Sequence, residues 1–150
     1  MSHVTRMELV VKDLESLKKA AADCGLEFVE GQKTHRWYGQ FVGDYSEANA
    51  AYKNGIKPED YGKCEHAIRV PNNPGAYEVG VVKNPAGPGY VLVADFWAGG
   101  KGLEAFTGQN CSKLAQNYGV QVSQKTMRGM GFTTEKRVLS DGTVKLIARR

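Results

Sequence analysis

Apolar and polar side chains alternate along residues 6–11, RMELVV, near the start of the chain. A period of two is that of a β-strand with one buried face, here Met7, Leu9 and Val11. The period then lengthens to that of a helix, with Asp13 as its N-cap residue. The apolar positions of this helix and the glycine predicted to end it are Leu14, Leu17, Ala20 or Ala21, Cys24 and Gly25.

Residues 26–38, LEFVEGQKTHRWY, predict a second strand with a bend at Gly31. Residues 39–63 are polar and rich in glycine and tyrosine, and the stretch after Ser46 predicts one short helix that Gly55 ends. We interpret residues 39–63 as an excursion from the sheet. Excursions of this kind tolerate changes of length and often carry binding residues.

Three apolar runs follow in quick succession, over residues 65–70, 76–82 and 90–97. The connections between them, PNNPG and NPAGPG, are rich in residues that make tight turns. Neighbouring strands are therefore predicted to run antiparallel. The third run is the longest apolar one, and we predict that it forms the central strand.

Helical spacing resumes after the turn AGGKG, and Gly119 is the predicted end of that helix. Its apolar positions are Leu103, Phe106, Leu114 and Tyr118. Residues 120–130 combine the alternation of a strand with a helical pattern, and we favour a further short helix there. Residues 132–139 and 143–150 alternate on either side of an Asp-Gly turn, which predicts a final β-hairpin.

These elements predict one α+β domain over residues 1–150, with a mainly antiparallel sheet of six or seven strands and two or three helices packed on one face. A chain of 150 residues, 41% of them hydrophobic, is long enough for one core and too short for two ordinary domains. No apolar run approaches bilayer length and the N-terminus lacks a signal-peptide pattern, so we expect a cytoplasmic protein with no membrane partner. The three cysteines are expected to be reduced thiols packed in the core.

Basic residues concentrate at the C-terminal end of the chain. Residues 125–150 contain seven Lys or Arg and two Asp or Glu, a net charge of +5, whereas the whole chain has a formal net charge of +4. A segment of this kind attracts phosphates or polyanions. The alternative is a solvated hairpin face that keeps the protein soluble. The candidate contacts are Lys136, Arg137, Lys145 and Arg149.

Residues 90–106, YVLVADFWAGGKGLEAF, contain the one local pattern that points to chemistry: a buried strand, a glycine-rich turn and the start of a helix. Unpaired amides from Gly100 onward, together with the Lys101 ammonium, would form an anion site. A nucleotide-hydrolysing P-loop is excluded, because Asp95 stands where that motif has a glycine and Gly102 follows the lysine. A flexible structural turn is the alternative.

Asp95 lies within an apolar strand, two residues before Trp97. By alternation its side chain shares a face with Val91 and Val93. A buried carboxylate needs a partner or must be neutralised, so Asp95 belongs either to a site or to a structural ion pair. Its candidate partners are His3, Lys145 and Arg149.

Aromatic side chains cluster next to an arginine at Arg36, Trp37 and Tyr38. Proteins stack bases on aromatic rings and hold phosphates with arginine, so a nucleotide or single-stranded nucleic acid would suit this cluster. The alternative is that Trp37 and Phe41 pack beneath the excursion.

The histidines match no metal-ligand spacing, so we predict no metal site and no cofactor. No serine or cysteine has the spacing of a nucleophile with its base, so no catalytic residue is assigned. His3, at the start of the first strand, is the histidine that we consider a site candidate.

Several short motifs are spread over nearly the whole chain: the opening MSH, CGLEF at 24–28, LVADFW at 92–97, Asn117 with Tyr118, Gly131 with Phe132, and DGTVKLIARR at 141–150. Together they resemble a family of uncharacterised proteins that contains the plastid and cyanobacterial hypothetical open reading frame thirty-five and is also carried by phages. The resemblance implies little about function. The chain departs from the pattern in the excursion, which looks inserted, and in the glycine-rich AGGKG turn.

These features lead to the hypothesis of a non-enzymatic binding protein for an anionic ligand, a nucleotide or a nucleotide-derived signal; in a phage it would sequester a host signal. Two alternatives stay open: an enzyme acting on a phosphorylated small molecule through Asp95 and His3, and a protein-interaction module or homo-oligomeric structural protein. Nucleic acid and a second copy of the chain also stay open as partners. The candidate ligand-binding residues are His3, Arg36, Trp37, Tyr38, Asp95, Trp97, Gly100, Lys101, Lys145 and Arg149.

Overall fold

The computed structural model describes residues 4–39 and 60–150, which form seven strands and three α-helices. The strands are β1 (Val4–Val11), β2 (Glu27–Val29), β3 (His66–Arg69), β4 (Val79–Lys83), β5 (Tyr90–Asp95), β6 (Thr133–Val138) and β7 (Val144–Arg149), and the helices are α1 (Leu14–Asp23), α2 (Glu104–Thr107) and α3 (Ser112–Gly129). This arrangement confirms the predicted α+β fold.

Five of the strands form one antiparallel sheet in the order β1-β5-β4-β3-β2. The meander of β3, β4 and β5 follows the two predicted turns, and β2 pairs with the outer side of β3. Strand β5 is an interior strand, as its apolar run indicated, but the middle position belongs to β4. β5 is interior because β1 adds to its outer side, a long-range pairing that the local pattern does not contain, and β4 is the middle strand because β3 and β2 lie on its other side.

The prediction of a single sheet with six or seven strands is wrong. The hairpin β6–β7 forms as predicted but is a separate two-stranded sheet. It packs against α3, where the Gln124 side chain donates to the Thr134 hydroxyl over 3.4 Å and the Gln116 side chain donates to the Gly142 carbonyl over 3.1 Å. A hairpin that has a helix as its neighbour does not need to pair with the main sheet.

Helices α1 and α3 cover one face of the main sheet, and the larger apolar core lies between these helices and the sheet. Along β5, Leu92 and Ala94 point into this core, whereas Val93 belongs to a smaller cluster on the opposite face. This alternation confirms that Asp95 lies on the face of Val93, away from the helices.

Both predicted ends of α1 are confirmed. Asp13 is the N-cap residue, and its carboxylate accepts a hydrogen bond from the Ser16 amide over 3.2 Å. The helix ends before Gly25, which has a φ of +77°, and the Leu26 amide turns back to donate to the Ala21 carbonyl over 2.9 Å. A residue in the left-handed region is needed at this position, and glycine adopts it without strain.

The prediction that Gly119 ends a helix is wrong, because α3 continues through it to Gly129. Glycine inside a helix costs about 1 kcal/mol relative to alanine. That cost is offset by the burial of Tyr118 and Val120 on either side. The helix ends instead at Gly129, and Gly131, with a φ of +89°, turns the chain back so that the Phe132 amide donates to the Met127 carbonyl over 3.0 Å. The short second helix favoured for residues 120–130 is therefore part of α3.

The predicted second strand is shorter than residues 26–38, since β2 ends at Val29. Residues 31–38 then cross the face of the sheet opposite the helices, and Thr34 forms a bridge with Lys63 at the far end of the excursion. His35, 4% exposed, lies over Gly80, where an added Cβ would be 2.5 Å from the His35 Cδ2. Residues 31–38 and the described end of the excursion, residues 60–63, therefore cover the second face of the sheet.

Candidate functional site

The carboxylate of Asp95 joins two distant parts of the chain at the end of β5. The side chain is 0% exposed. Its Oδ1 accepts a hydrogen bond from the Trp97 amide over 2.9 Å, and its Oδ2 accepts one from the Tyr38 amide over 3.0 Å. Two backbone amides stabilise a buried carboxylate much as a side-chain cation does. The expected cationic partners Lys145 and Arg149 lie on β7, in the separate hairpin sheet.

These two hydrogen bonds place two aromatic rings side by side. The rings of Tyr38 and Trp97 are in edge contact, with centroids 5.5 Å apart and planes at 71°. The Lys101 Nζ lies 4.7 Å from the centroid of the Trp97 ring, within range of a cation–π interaction. We call Tyr38, Trp97 and Lys101 the aromatic cluster. It combines the exposed Tyr38 ring and the half-buried Trp97 ring with a positive charge.

The turn that carries Lys101 has an unusual backbone. Four consecutive residues, from Ala98 to Lys101, have φ values between +52° and +67°. Gly99 and Gly100 adopt this left-handed conformation without strain, but Ala98 and Lys101 each lose about 1 kcal/mol or more in it. Strained residues of this kind concentrate at binding and catalytic sites.

Gly100 anchors this turn to the neighbouring loop. It is buried, and its carbonyl accepts a hydrogen bond from the Tyr77 amide over 2.9 Å. A Cβ at Gly100 would lie 2.9 Å from the Leu103 Cβ, so the position has no room for a larger residue. Gly100 thus fixes the turn that carries Lys101 to the loop at Tyr77.

The structure does not place an anion site at the start of a helix. Helix α2 is four residues long and begins with Glu104, an acid, while the Leu103 amide donates to the Gly100 carbonyl over 3.3 Å. A short helix with an acidic first residue supplies little attraction for an anion. What remains of the predicted contact is the Lys101 side chain, held beside Trp97.

Arg36 is connected to the turn of the aromatic cluster through the loop at Ala76 and Tyr77. Its Nη1 donates to the Ala76 carbonyl over 2.9 Å, and the next residue, Tyr77, binds Gly100. Its backbone amide donates to Glu78 Oε1 over 2.8 Å. The buried Glu78 is a site-supporting residue that the sequence reasoning missed, although it carries the same signal as Asp95: an acid inside an apolar run.

Trp37 points the other way and packs in the smaller core. Its ring meets the ring of Tyr61 at right angles with centroids 5.6 Å apart, and it fills the space beside Gly62. Trp37 therefore packs beneath the described end of the excursion, which is the alternative to a ligand-binding role.

Of the predicted ligand-binding residues, the structure brings five together, and Arg36 is adjacent to them. Trp37 packs in the smaller core, and the other two described residues, Lys145 and Arg149, belong to the hairpin. His3, Phe41 and the predicted helix between Ser46 and Gly55 lie outside the described residues. The five residues that come together are Tyr38, Asp95, Trp97, Gly100 and Lys101.

Burial suppresses the reactivity of the thiols and of His35. It raises the pKa of both Cys64 and Cys111 to about 12 and raises that of Cys24 as well. Burial also lowers the pKa of His35, whose Nδ1 lies 3.2 Å from the Glu78 carbonyl oxygen. At neutral pH the thiols are protonated and His35 is uncharged.

Within residues 4–39 and 60–150, no group of three or more His, Cys, Asp and Glu side chains is placed to hold a metal ion. In the same part of the chain, none of the helices is both long enough and apolar enough to cross a bilayer.

Comparisons of the chain with protein-family models, with curated proteins and with solved structures gave no match. The resemblance to the uncharacterised plastid, cyanobacterial and phage family stays a prediction.

Proposed function

We propose that this protein binds an anionic ligand of the nucleotide type on the aromatic cluster and does not transform it. The observation that carries the proposal is the Lys101 ammonium held 4.7 Å from the Trp97 ring centroid, at a strained turn beside a second aromatic ring, Tyr38. Bases stack on aromatic rings, and each stacked base contributes about 1–3 kcal/mol. A lysine next to the stacking surface supplies the charge that a phosphate needs.

The charge of Lys101 is available to a ligand. Among the described residues Lys101 forms no salt bridge, and its side chain is exposed. Its contact with Trp97 fixes the ammonium near the ring without neutralising it. A phosphate can therefore replace water around this ammonium while the base lies against the exposed part of the two rings.

The cluster is also pre-organised. The buried Asp95 carboxylate holds the backbone of both Tyr38 and Trp97, and the edge contact between their rings restricts the two side chains, so the rings are already ordered before binding. Immobilising a flexible side chain costs about 0.5–1.5 kcal/mol, and this cost is already met in the folded protein.

A binding role fits Asp95 better than acid–base catalysis does. Both of its oxygens already accept backbone hydrogen bonds and the side chain is fully buried, so it is not placed to exchange a proton with a ligand. The buried thiols are protonated at neutral pH, because their pKa values are raised. These contacts favour a binding protein over an enzyme acting on a phosphorylated small molecule.

Tryptophan fluorescence and thermal unfolding test the proposal together. The chain has two tryptophans, so Trp37→Phe leaves Trp97 as the only one. The ligands to titrate are AMP, ATP and cyclic AMP. Adenosine then tests binding of the base without a phosphate, and inorganic pyrophosphate tests binding of the charge without a base. A nucleotide at about 100 times its Kd stabilises the fold by about 2.7 kcal/mol, or roughly 5–10 °C in Tm.

The matched variants act on charge and leave the fold intact. Lys101→Gly removes the ammonium and is compatible with the left-handed backbone. Lys19→Ala removes another exposed lysine, from α1. We expect Lys101→Gly to abolish the preference for nucleotide over adenosine and Lys19→Ala to preserve it. The proposal fails if no nucleotide at millimolar concentration changes Tm or Trp97 emission.

A further inference from the structure

The hairpin β6–β7 has two unlike faces. Directly opposed residues of an antiparallel pair share a face, and successive residues alternate between faces. We call one of the two the basic face. Its opposed pairs are Thr133 with Arg149, Glu135 with Ile147, and Arg137 with Lys145.

The other face of the hairpin turns toward the helices. Thr134 accepts a hydrogen bond from the Gln124 side chain of α3, and the Lys136 Nζ lies 4.0 Å from an Asp23 carboxylate oxygen at the end of α1. Because Thr134 and Lys136 point inward, the basic face points away from the rest of the protein.

The basic face carries three cations and one acid. The side chains of Arg137 and Arg149 are 55% and 68% exposed, and Lys145 is exposed as well. Glu135 lies between the two arginines, 3.0 Å from the Arg137 Nε and 3.9 Å from the Arg149 Nη2. Exposed ion pairs of this kind contribute about 0–1 kcal/mol, so phosphate oxygens can replace Glu135 at little cost.

We infer that the basic face binds the phosphate backbone of double-stranded DNA. Lys145 and Arg149 are four residues apart along β7, a span of about 13 Å at the rise of a strand. The major groove of B-DNA is about 12 Å wide and admits a two-stranded β-ribbon. Cations at both ends of the face therefore reach phosphates on both sides of that groove.

Two features of the basic face favour a DNA duplex over other nucleic acids. None of its six side chains is aromatic, whereas surfaces that bind single strands stack bases on aromatic rings. The major groove of an RNA duplex is too narrow for side chains to enter. This surface is separate from the aromatic cluster, and Lys101 takes no part in it.

Fluorescence anisotropy with a short labelled DNA duplex of random sequence tests the inference. Three phosphate contacts predict a slope of about −2.7 for log affinity against log salt concentration, or about a 40-fold loss of affinity from about 50 to 200 mM salt. The triple variant with Arg137, Lys145 and Arg149 changed to Ala should remove the binding and leave Tm unchanged. Lys145→Ala alone should reduce the slope by about 0.9.

Two acidic positions provide a gain-of-function test with matched charge. Glu135→Gln removes the acid from the basic face, and Asp141→Asn removes one from the hairpin turn, where its carboxylate accepts a hydrogen bond from the Thr143 amide. Both variants change the net charge by the same amount. We expect Glu135→Gln to tighten DNA binding by more than Asp141→Asn does.

Three results would overturn the inference: no duplex binding at low salt, duplex binding that survives the triple variant, or tighter binding to a single strand of the same length. Lys101→Gly should bind DNA like the wild-type protein. This control separates the inference from the proposed nucleotide site, because either can fail alone.

Discussion

Replacing Asp95 by asparagine tests whether its carboxylate holds the aromatic cluster together. The carboxylate accepts one hydrogen bond from the Trp97 amide and one from the Tyr38 amide. An asparagine side chain has a single oxygen, so it can keep one of these bonds and turns an NH2 group toward the other amide. The bond to Trp97 is local, two residues along the chain, and we expect it to survive. The Tyr38 amide then loses its acceptor.

The magnitude follows from the burial of the group. A hydrogen bond to a charged group contributes about 1.5–3 kcal/mol, and a buried amide left without an acceptor costs about 1–3 kcal/mol. These figures describe largely the same event, so we expect Asp95→Asn to lower the free energy of unfolding by about 2–3 kcal/mol. For a chain of this length, that corresponds to a fall in Tm of roughly 4–12 °C.

Urea unfolding followed by far-UV circular dichroism measures this loss. The matched control is Asp141→Asn, since Asp141 also accepts a backbone amide hydrogen bond, over 2.9 Å, but lies in the exposed hairpin turn. We expect Asp141→Asn to leave the midpoint nearly unchanged. In a Trp37→Phe background, Asp95→Asn should also move Trp97 emission to longer wavelength. An unchanged midpoint in Asp95→Asn, or an equal loss in both variants, would refute the role assigned to Asp95.

Three further predictions concern the second sheet face and the thiols. Gly80→Ala should destabilise the fold by about 1–3 kcal/mol, because the new Cβ would meet the His35 ring; denaturant unfolding should show a much smaller cost in a His35→Ala background. Burial lowers the folded-state pKa of His35 below 6.5, so the unfolded chain binds a proton more readily. Its contribution is fully present above about pH 6.5 and is lost as pH falls toward the folded-state pKa; unfolding measured from about pH 7.5 to pH 5 should show a slope that His35→Gln flattens. Burial raises the pKa of Cys64 and Cys111 to about 12, so a thiol reagent at neutral pH should label them only after denaturation; fast labelling of native protein would contradict this.

Local patterns were sufficient for the elements whose formation depends on nearby residues. The alternation of β1, the N-cap at Asp13 and the end of α1 at Gly25 involve groups within a few positions of one another, and all are confirmed. The hairpin around residues 140–142 is confirmed for the same reason. Gly119 shows the limit of this approach, because tertiary burial of the adjacent Tyr118 and Val120 overrides its weak helix propensity.

The candidate site was predictable in its residue types and not in its assembly. Alternation placed Asp95 on the correct face of β5, and the glycine-rich turn drew attention to Lys101. Nothing in the sequence linked Asp95 to the Tyr38 amide, which is 57 positions away. The helix-start anion site was expected where the chain instead forms a left-handed turn and a four-residue helix.

The sequence by itself determined the α+β fold, the antiparallel meander, both ends of α1 and the concentration of positive charge in the last hairpin. Tertiary structure alone decided that β1 joins β5, that the hairpin stands apart from the main sheet, and that Tyr38, Trp97 and Lys101 meet. The physical reason is how far apart along the chain the interacting groups lie. Periodicity, caps and turns are set by neighbours along the chain, whereas these meetings depend on hydrogen bonds and packing between segments that come close only when the whole sheet has formed.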